Sequence, residues 1–376
     1  MTTMDKLDKT IPKGWEVKKF RDLLDYERPD EYIVKSTDYS ESVGTPVLTA
    51  NKSFVLGYTD ENFGIYKDVP AIIFDDFTTD SKYVDFPFKI KSSAIKILKN
   101  KDQNSDLKFL YEKIKSIKFP VSNHQRYYIS QYQELEIVLP KKDEQRKIVE
   151  ILESVDSEIE KTDHVIAATE KLKKGLMQQL FTRGIGHTKF KKTEIGEIPE
   201  QWSVKKVSDL FEIGRGRVIS KIEIQKNPGP YPVFSSQTSN NGEFGRMGTY
   251  DFEGEYLTWT TDGIYAGAVF YRNGKFNCTN VCGTLKQKVD MDIRFFSYLL
   301  PRCAERHVVK TANPKLMNNV MANVSMPAPH IKEQKEIAEI LFSVGKKISI
   351  NRDLKEKLNL LKKGLMQDLL SGRVRM

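Results

Sequence analysis

The sequence contains two segments, A and B, that each occur twice, in the order A–B–A′–B′. Residues 11–24 and 198–211 are identical at eight of fourteen aligned positions, and residues 144–180 and 333–369 are identical at 17 of 37 without a gap. The hexapeptide KKGLMQ occurs in both copies of the second segment. The copies lie near 188 residues apart, and two copies are too few for a solenoid. The chain is therefore predicted to use one architecture twice.

The B segments are predicted to be long helices. Apolar residues recur every seven positions over five heptads, Pro140 and Pro329 precede the two segments, and Gly184 and Gly372 follow them. Two helices of equal length with matching heptads are expected to pair antiparallel, and polar seam residues at 162 and 351 can fix their register. The positions expected to serve the spacer or a partner are Ile148, Leu152, Val155, Ile159, Leu172, Gly175, Leu176, Ile337, Leu341, Val344, Ile348, Leu361, Gly364 and Leu365.

A glycine occurs at the same place in both predicted helices. Each glycine costs about 1 kcal/mol relative to alanine inside a helix. Gly175 and Gly364 therefore predict close backbone packing, against the other helix or against a partner, with a frayed helix end as the alternative.

The A segments contain short β-rich runs separated by Gly, Asn and Asp turns. The predicted fold class is α+β, with two mixed α/β globules at opposite ends of an antiparallel two-helix coiled coil and an internal pseudo-twofold repeat. The predicted domains are a first globule at 1–140, a first spacer helix at 141–184, a second globule at 185–328 with a connecting segment at 185–198, and a second helix with tail at 329–376.

Composition excludes some broad classes. Of the 376 residues 39% are hydrophobic, which argues against wholesale disorder, and no apolar run approaches the ~18 residues of a membrane span. The first residues contain no apolar signal core, and three cysteines do not suggest a disulfide framework, so a cytoplasmic location is expected. The net charge of +9 permits nucleic acid as a partner, although the basic excess lies in the second half of the chain.

Four segments in this order resemble a known family. The openings IPKGW and IGEIPEQW, and the helical segments DEQRKIVEILESVDSEI and EQKEIAEILFSV that each precede a copy of KKGLMQ, are similar to those of the specificity subunits of type I restriction–modification systems. The resemblance implies two target-recognition domains that each read one half of an interrupted double-stranded DNA site, and a helical spacer that carries two methyltransferase subunits. It also implies restriction subunits as partners and no catalytic site in this chain, with S-adenosylmethionine, ATP and Mg²⁺ expected on partner subunits.

The predicted DNA contacts are polar, basic or aromatic residues in loops, because such side chains read base edges and position phosphates. For each of them a solvated loop is the alternative. In the first globule they are Lys52, Tyr58, Thr78, Thr79, Lys82, Asn123, His124, Gln125, Arg126 and Tyr127. In the second globule they are Arg215, Arg217, Lys221, Gln237, Asn240, Asn241, Arg246, Lys310, Asn313, Lys315 and Asn318.

Other functions have weaker support. The sequence has neither an amino-methyltransferase tetrapeptide nor a Walker A motif, and the spacing of Asp30 from the Asp80–Lys82 tripeptide is long for a nuclease site. Cys278, Cys282, Cys303 and His307 could close a zinc site, but their β-rich and apolar surroundings favour buried free thiols, so no metal is expected. A protein-interaction scaffold without DNA, and the specificity module of another restriction system, remain alternatives.

Overall fold

The computed structural model describes residues 11–50, 53–121 and 125–376. The chain divides into two compact units: Met1–His164 with Asp353–Met376, and Val165–Arg352. Both divisions fall inside long helices, so each unit contains a globular part and a portion of each helix.

The globular part of the first unit combines three small sheets with one helix of ten residues. The elements are β1 (Glu16–Lys19), α1 (Phe20–Leu23), β2 (Leu24–Glu27), β3 (Thr45–Leu48), β4 (Val55–Thr59), β5 (Ala71–Asp75), β6 (Ser81–Val84), β7 (Lys89–Ile90), β8 (Ile95–Asn100), α2 (Leu107–Ser116), β9 (Glu136–Leu139) and the first part of α3 (Lys142–Leu180). Strands β2–β8–β5–β6 form an antiparallel sheet, strand β3 pairs antiparallel with β4 and parallel with β7, and β1 pairs with β9.

Strand β5 lies between two hydrophobic cores. All five of its residues are buried, and successive side chains of a strand point to opposite faces. Ile72 and Phe74 join a core that includes residues of α2 and of both long helices, while Ala71 and Ile73 join a second core around Tyr66. This double burial explains why the first four residues of β5 are all apolar rather than alternating with polar ones.

The second unit is built around a six-stranded sheet, with two two-stranded ribbons. Its elements are β10 (Phe190–Thr193), β11 (Gly196–Pro199), β12 (Ser203–Lys206), α4 (Val207–Leu210), β13 (Phe211–Arg215), α5 (Lys221–Lys226), β14 (Tyr231–Phe234), β15 (Glu243–Met247), β16 (Phe252–Thr260), β17 (Val269–Cys278), β18 (Cys282–Gln287), α6 (Ile293–Ala304), α7 (Asn318–Ala322), β19 (Ser325–Ala328) and part of α8 (Ile331–Ser371). The sheet has the order β13–β18–β16–β17–β14–β15, and the ribbons are β10–β11 and β12–β19.

The two units repeat one topology. The ribbon β1–β9 corresponds to β12–β19, the order β2–β8–β5–β6 to β13–β18–β16–β17, and β3, with its antiparallel and parallel neighbours, to β14. The units differ where Pro87 stands between β6 and β7, because a proline cannot donate to a ladder. The single long strand β17 takes that place in the second unit. The predicted mixed α/β fold with an internal repeat is therefore confirmed.

Each unit anchors both long helices with one carboxylate, which is buried in the first unit and half-buried in the second. In the first unit, the Trp15 indole donates to Glu144 at 3.1 Å, and Arg375, beyond the end of α8, donates to both carboxylate oxygens at 2.7 and 2.9 Å. In the second unit, the Trp202 indole donates to Glu333 at 2.9 Å. There His187, beyond the end of α3, places Nε2 3.0 Å from both oxygens of that carboxylate. The start of one helix and the end of the other are thus held at the same tryptophan.

Glycines allow these helix ends to approach the tryptophans. Gly184 and Gly372 have φ angles of +64° and +72°, a region that disfavours other residues. A Cβ on Gly184 would lie 2.7 Å from the Trp202 ring, and one on Gly372 would lie 3.1 Å from the Trp15 ring. These two positions therefore require glycine for both reasons.

The helices pair antiparallel inside each unit, as predicted. In the first unit Lys355 pairs with Asp163 and Lys362 with Asp156, each at 2.5 Å, so one residue number rises as the other falls. In the second unit Arg352 pairs with Glu170 at 2.5 Å. The polar side chains at 162 and 351 bond to carbonyls of their own helices, so their predicted role in fixing the register stays a prediction.

The heptad pattern describes the buried side of the helices only in part. Ile148, Leu152, Val155, Ile337, Leu341 and Ile348 are buried, and Ile159, Leu176, Val344 and Leu365 are half-buried.

Other heptad positions turn away from the seam. Leu172 and Leu361 are 55% and 50% exposed, so of their two predicted roles the packing between the helices is wrong, and the partner contact stays a prediction. A helix of 3.6 residues per turn drifts by about 20° per heptad, which carries such positions away from the contact. A Cβ on Gly175 or Gly364 meets no described atom within 4 Å, so the predicted packing of these glycines against the other helix is also wrong.

Candidate nucleic-acid interface

In the first unit, the turn between β5 and β6 presents two of the predicted residues. Asp75 accepts hydrogen bonds from the backbone N–H groups of Phe77 and Thr78, each at 2.9 Å, which fixes the turn. Thr78 is exposed, and Thr79 adopts a φ of +61°, which is uncommon for a β-branched residue. The turn thus exposes the Thr78 side chain on a backbone that is held by hydrogen bonds.

Segment 125–126 lies against this turn. Gln125 and Arg126 are exposed, and the Arg126 guanidinium lies 5.7 Å from the centre of the Phe77 ring. Tyr127 is only 1% exposed and packs edge-on against Phe119 at 5.3 Å. Its prediction as a DNA contact is therefore wrong, because the ring fills the core instead of facing solvent.

The remaining candidates of the first unit are scattered. Tyr58 on β4 and Lys82 on β6 are half-buried and lie on different sheets. Lys52, Asn123 and His124 lie outside the described residues.

A basic cleft in the first unit includes residues that the sequence did not single out. Arg28, Lys96 and Arg126 line a space of about 440 Å³ together with Asp30 and Asp76. Lys96 is buried at 3.4 Å from Asp76, whose other carboxylate oxygen accepts the Tyr128 backbone N–H at 2.7 Å. This buried pair occupies the floor, while both arginines are exposed. In the sequence, a lysine within a strand is typical of an exposed residue on an edge strand. The cleft can therefore be recognised only in the folded structure.

In the second unit, five candidates come together near the end of β13. Arg215 approaches Asp262 at 3.4 Å, and Lys315 approaches the same carboxylate at 3.9 Å. Asn318 donates to the Gly214 carbonyl at 3.1 Å, which ties α7 to β13. Lys310 and Asn313 are exposed in the loop closed by the bridge from residue 309 to residue 315. The structure therefore groups these residues into one basic edge.

The other candidates of the second unit are tied to carboxylates or to backbone. Arg217 pairs with Glu223 at 2.7 Å and with Asp251 at 3.0 Å, and these contacts raise its pKa. Arg246 donates to both oxygens of Glu243 at 2.8 and 2.9 Å. The positive charge of both arginines is therefore already paired with protein carboxylates and is less available to a ligand.

The loop between β14 and β15 has an unusual backbone. Asn240 and Asn241 have φ angles of +48° and +52°, conformations that asparagine tolerates better than most residues. Gln237 donates to the Glu243 carbonyl within this loop, and the Lys221 ammonium lies 5.8 Å from the Phe244 ring centre. The loop is thus shaped by its own hydrogen bonds and presents two exposed amides.

The cysteines have the surroundings of structural thiols. Cys278 and Cys282 are buried at neighbouring strand ends, and Cys303 is buried in α6, where burial raises its pKa to about 11. Across residues 11–50, 53–121 and 125–376, no group of three or more His, Cys, Asp or Glu side chains is arranged to hold a metal ion. None of the helices in the same part of the chain combines the length and apolar character of a membrane span.

Comparisons with known proteins point to one family. The type I restriction modification DNA specificity domain matches residues 12–168 and again 199–360. A Mycoplasma pneumoniae protein named as a type I specificity subunit is 39% identical over 222 residues, which cover 58% of this chain and 78% of that protein. The specificity subunit of the type I restriction enzyme EcoR124I/EcoR124II of Escherichia coli is 42% identical over 158 residues, 40% of this chain and 39% of that one.

A solved structure has the same fold. The S subunit of a type I restriction–modification system from M. genitalium matches with a TM-score of 0.69 and covers 97% of this chain and 98% of its own. Its sequence identity is 17%, so the match concerns the fold alone.

Proposed function

This chain belongs to the type I restriction–modification DNA specificity family, and on that premise we propose that each unit reads one half of an interrupted DNA site. The observation that carries the proposal is the repetition of one fold and one helix anchor with different loops. The turn between β5 and β6, with the sequence DFTTD, differs from its counterpart between β16 and β17, with the sequence TDGIYAGA. Two unlike loop surfaces on one framework suit two unlike half-sites.

The same proposal makes the two helices a spacer and a docking surface. Leu354, Leu360 and Leu361 in the first unit are 44%, 69% and 50% exposed. In the second unit, Phe342 and Ile350 are 48% and 56% exposed. Exposed apolar side chains grouped on a surface mark protein contacts. We assign them to methyltransferase subunits, and restriction subunits would join the assembled complex.

The chain itself is proposed to be non-catalytic. S-adenosylmethionine, ATP and Mg²⁺ would act on the partner subunits, which would extrude the target base from the duplex for methylation. The sequence motifs for those activities are missing from this chain, and the described residues offer no metal-binding cluster.

A selection from a random duplex DNA pool tests the proposal. The tagged chain is isolated with its host methyltransferase subunits, and the bound DNA is sequenced. We expect two unlike short motifs at one fixed spacing. No enrichment, with a methyltransferase visibly co-purified, would refute DNA recognition and favour a protein scaffold.

A variant in one unit sharpens the selection. Asn313→Ala, in the exposed loop of the second unit, should alter only one of the two motifs, and Gln125→Ala, in the first unit, should alter only the other. A change in both motifs from either substitution would contradict the assignment of one half-site to each unit.

A further inference from the structure

Both units carry a pair of cations at the same place in the fold. Arg28 directly follows β2, and Arg215 ends the corresponding strand β13. The second cation of each pair, Arg126 or Lys315, precedes a fully buried residue. The N–H of that residue donates to the carbonyl of Asp76 at 2.9 Å in the first unit and of Thr261 at 2.8 Å in the second. The two pairs are therefore structurally equivalent.

The local sequences around these cations are dissimilar, although the offsets of the two flanking repeats, 187 and 189 residues, take Arg28 to Arg215 and Arg126 to Lys315. Arg126 lies in HQRYY, and Lys315 lies in NPKLM. The positions on the turn that follows β5 or β16 also differ, since Asp76 corresponds to Thr261. The cationic pair thus persists while the neighbouring loops change.

The charge at these places is available to an anion. Within the described ranges, neither Arg28 nor Arg126 has a carboxylate oxygen within 4 Å, although both line the cleft of about 440 Å³. Arg215 and Lys315 share one carboxylate, at the long distances of 3.4 and 3.9 Å, so this pair keeps a net positive charge. By contrast, Arg217 and Arg246 make short ion pairs of their own.

The floor of the first cleft is a preformed polar support. Lys96 is buried, and its ammonium lies 3.4 Å from one oxygen of Asp76. That oxygen is itself buried and accepts no hydrogen bond from any described residue. The cleft is open to solvent above this pair, because Arg28 and Arg126 are exposed, and an extended polyanion can therefore reach both arginines.

We propose that Arg28 with Arg126, and Arg215 with Lys315, each bind one backbone phosphate of double-stranded DNA. This inference rests on the proposed function and deepens it, because it separates positioning from reading. A phosphate is the same at every base pair, so a contact that recurs in two units with unlike loops suits the backbone. Two cations that converge from different segments can engage both free oxygens of one phosphate diester.

Paired substitutions test the proposal in the complex with its methyltransferase subunits. The variants are Arg28→Ala with Arg126→Ala, and Arg215→Ala with Lys315→Ala. Binding is measured from 50 to 200 mM salt on the selected target and on a scrambled duplex of equal length. Each double variant should weaken binding to both duplexes by the same factor, about tenfold, and lower the slope of log K against log salt by about one.

Matched controls remove the same charge elsewhere in the same unit. Lys67→Ala with Lys118→Ala and Lys226→Ala with Arg302→Ala change exposed cations outside the clusters and should keep the wild-type slope. A charge-keeping double variant, Arg28→Lys with Arg126→Lys, should also keep the slope. Equal melting temperatures show that all variants are folded.

The outcomes separate this inference from the proposed function. Failure of the wild-type complex to bind any duplex overturns both. Wild-type binding with unchanged slopes in the double variants overturns the phosphate contacts alone. Loss of affinity for the target but not for the scrambled duplex, or an altered motif on selection, also overturns them, because the clusters would then read bases.

Discussion

If the paired helices set the separation of the half-sites, lengthening both of them should lengthen the gap. The register of the ion pairs shows where to insert residues. Asp163 pairs with Lys355 in the first unit, and Glu170 pairs with Arg352 in the second. Duplicating Lys161–His164 in α3 and Asp353–Glu356 in α8 inserts four residues into each helix, at the position where Asp163 and Lys355 pair. The insertion also copies both partners of one ion pair into the added turn.

The expected change follows from helix geometry. Four residues add about 6 Å at 1.5 Å per residue, and the duplex rises about 3.4 Å per base pair. The permitted gap should therefore grow by one or two base pairs, with about two as the upper limit. An insertion of seven residues adds about 10.5 Å and should allow about three base pairs.

The assay is selection from a random duplex pool with each variant in its methyltransferase complex. We expect both half-site motifs to stay unchanged while their spacing increases with the length inserted. A control insertion of four residues between Glu41 and Ser42, in an exposed loop of the first unit, should leave the spacing unchanged. An unchanged gap in both helix variants, or new half-site sequences, would refute the role of the helices as a spacer.

Three further outcomes are expected for the chain itself. Trp15→Phe, which removes the indole donor of Glu144, should lower the free energy of unfolding by about 2 kcal/mol in urea titration, and no loss would contradict the anchor. Burial lowers the pKa of Lys113 to about 8 from 10.5 in the unfolded chain, so the unfolded state binds more protons between these values. The unfolding free energy should therefore rise by about 3 kcal/mol over that window, and Lys113→Met should abolish the rise; a flat wild-type profile would contradict this. The three buried thiols should react with iodoacetamide only after unfolding. Metal analysis should find no zinc, and one equivalent of zinc would contradict the assignment of free thiols.

The helices and the repeated fold were accessible from sequence because they follow local rules. The seven-residue period and the flanking proline and glycine residues indicated α3 and α8 within 141–184 and 329–376. The exposure of Leu172 was not accessible, because a strict heptad register does not follow the drift of a helix with 3.6 residues per turn. The predicted domain boundaries stay a prediction.

The anchors and the basic cleft were missed for a different reason. Glu144 and Glu333 stand in the aligned helical segments, but their partners Arg375 and His187 come from unrelated stretches of sequence. Lys96 lies in a buried strand, where only the fold brings Asp76 close to it. Such contacts depend on residues far apart in the chain, and a single sequence contains no signal for them.

The prediction of Tyr127 as a DNA contact was wrong because it relied on the composition of the surrounding segment. The segment around it is polar, and aromatic side chains in polar loops are common in nucleic-acid contacts. Its ring packs on Phe119, so this tyrosine supports the loop from the interior of the protein. The adjacent Arg126 is then held at the surface by a buried neighbour, and Lys315 is held in the same way by the buried Leu316.

This arrangement suggests how one framework can serve two different half-sites. A buried residue and a backbone hydrogen bond fix the positions of Arg126 and Lys315, while the side chains of the neighbouring turn take no part in that bond. Loop sequences can therefore differ between the units without moving the proposed phosphate contacts. The helix anchors at Glu144 and Glu333 lie apart from these loops in sequence and use their own hydrogen bonds. Specificity and positioning then depend on different residues, so a change in one does not require a change in the other.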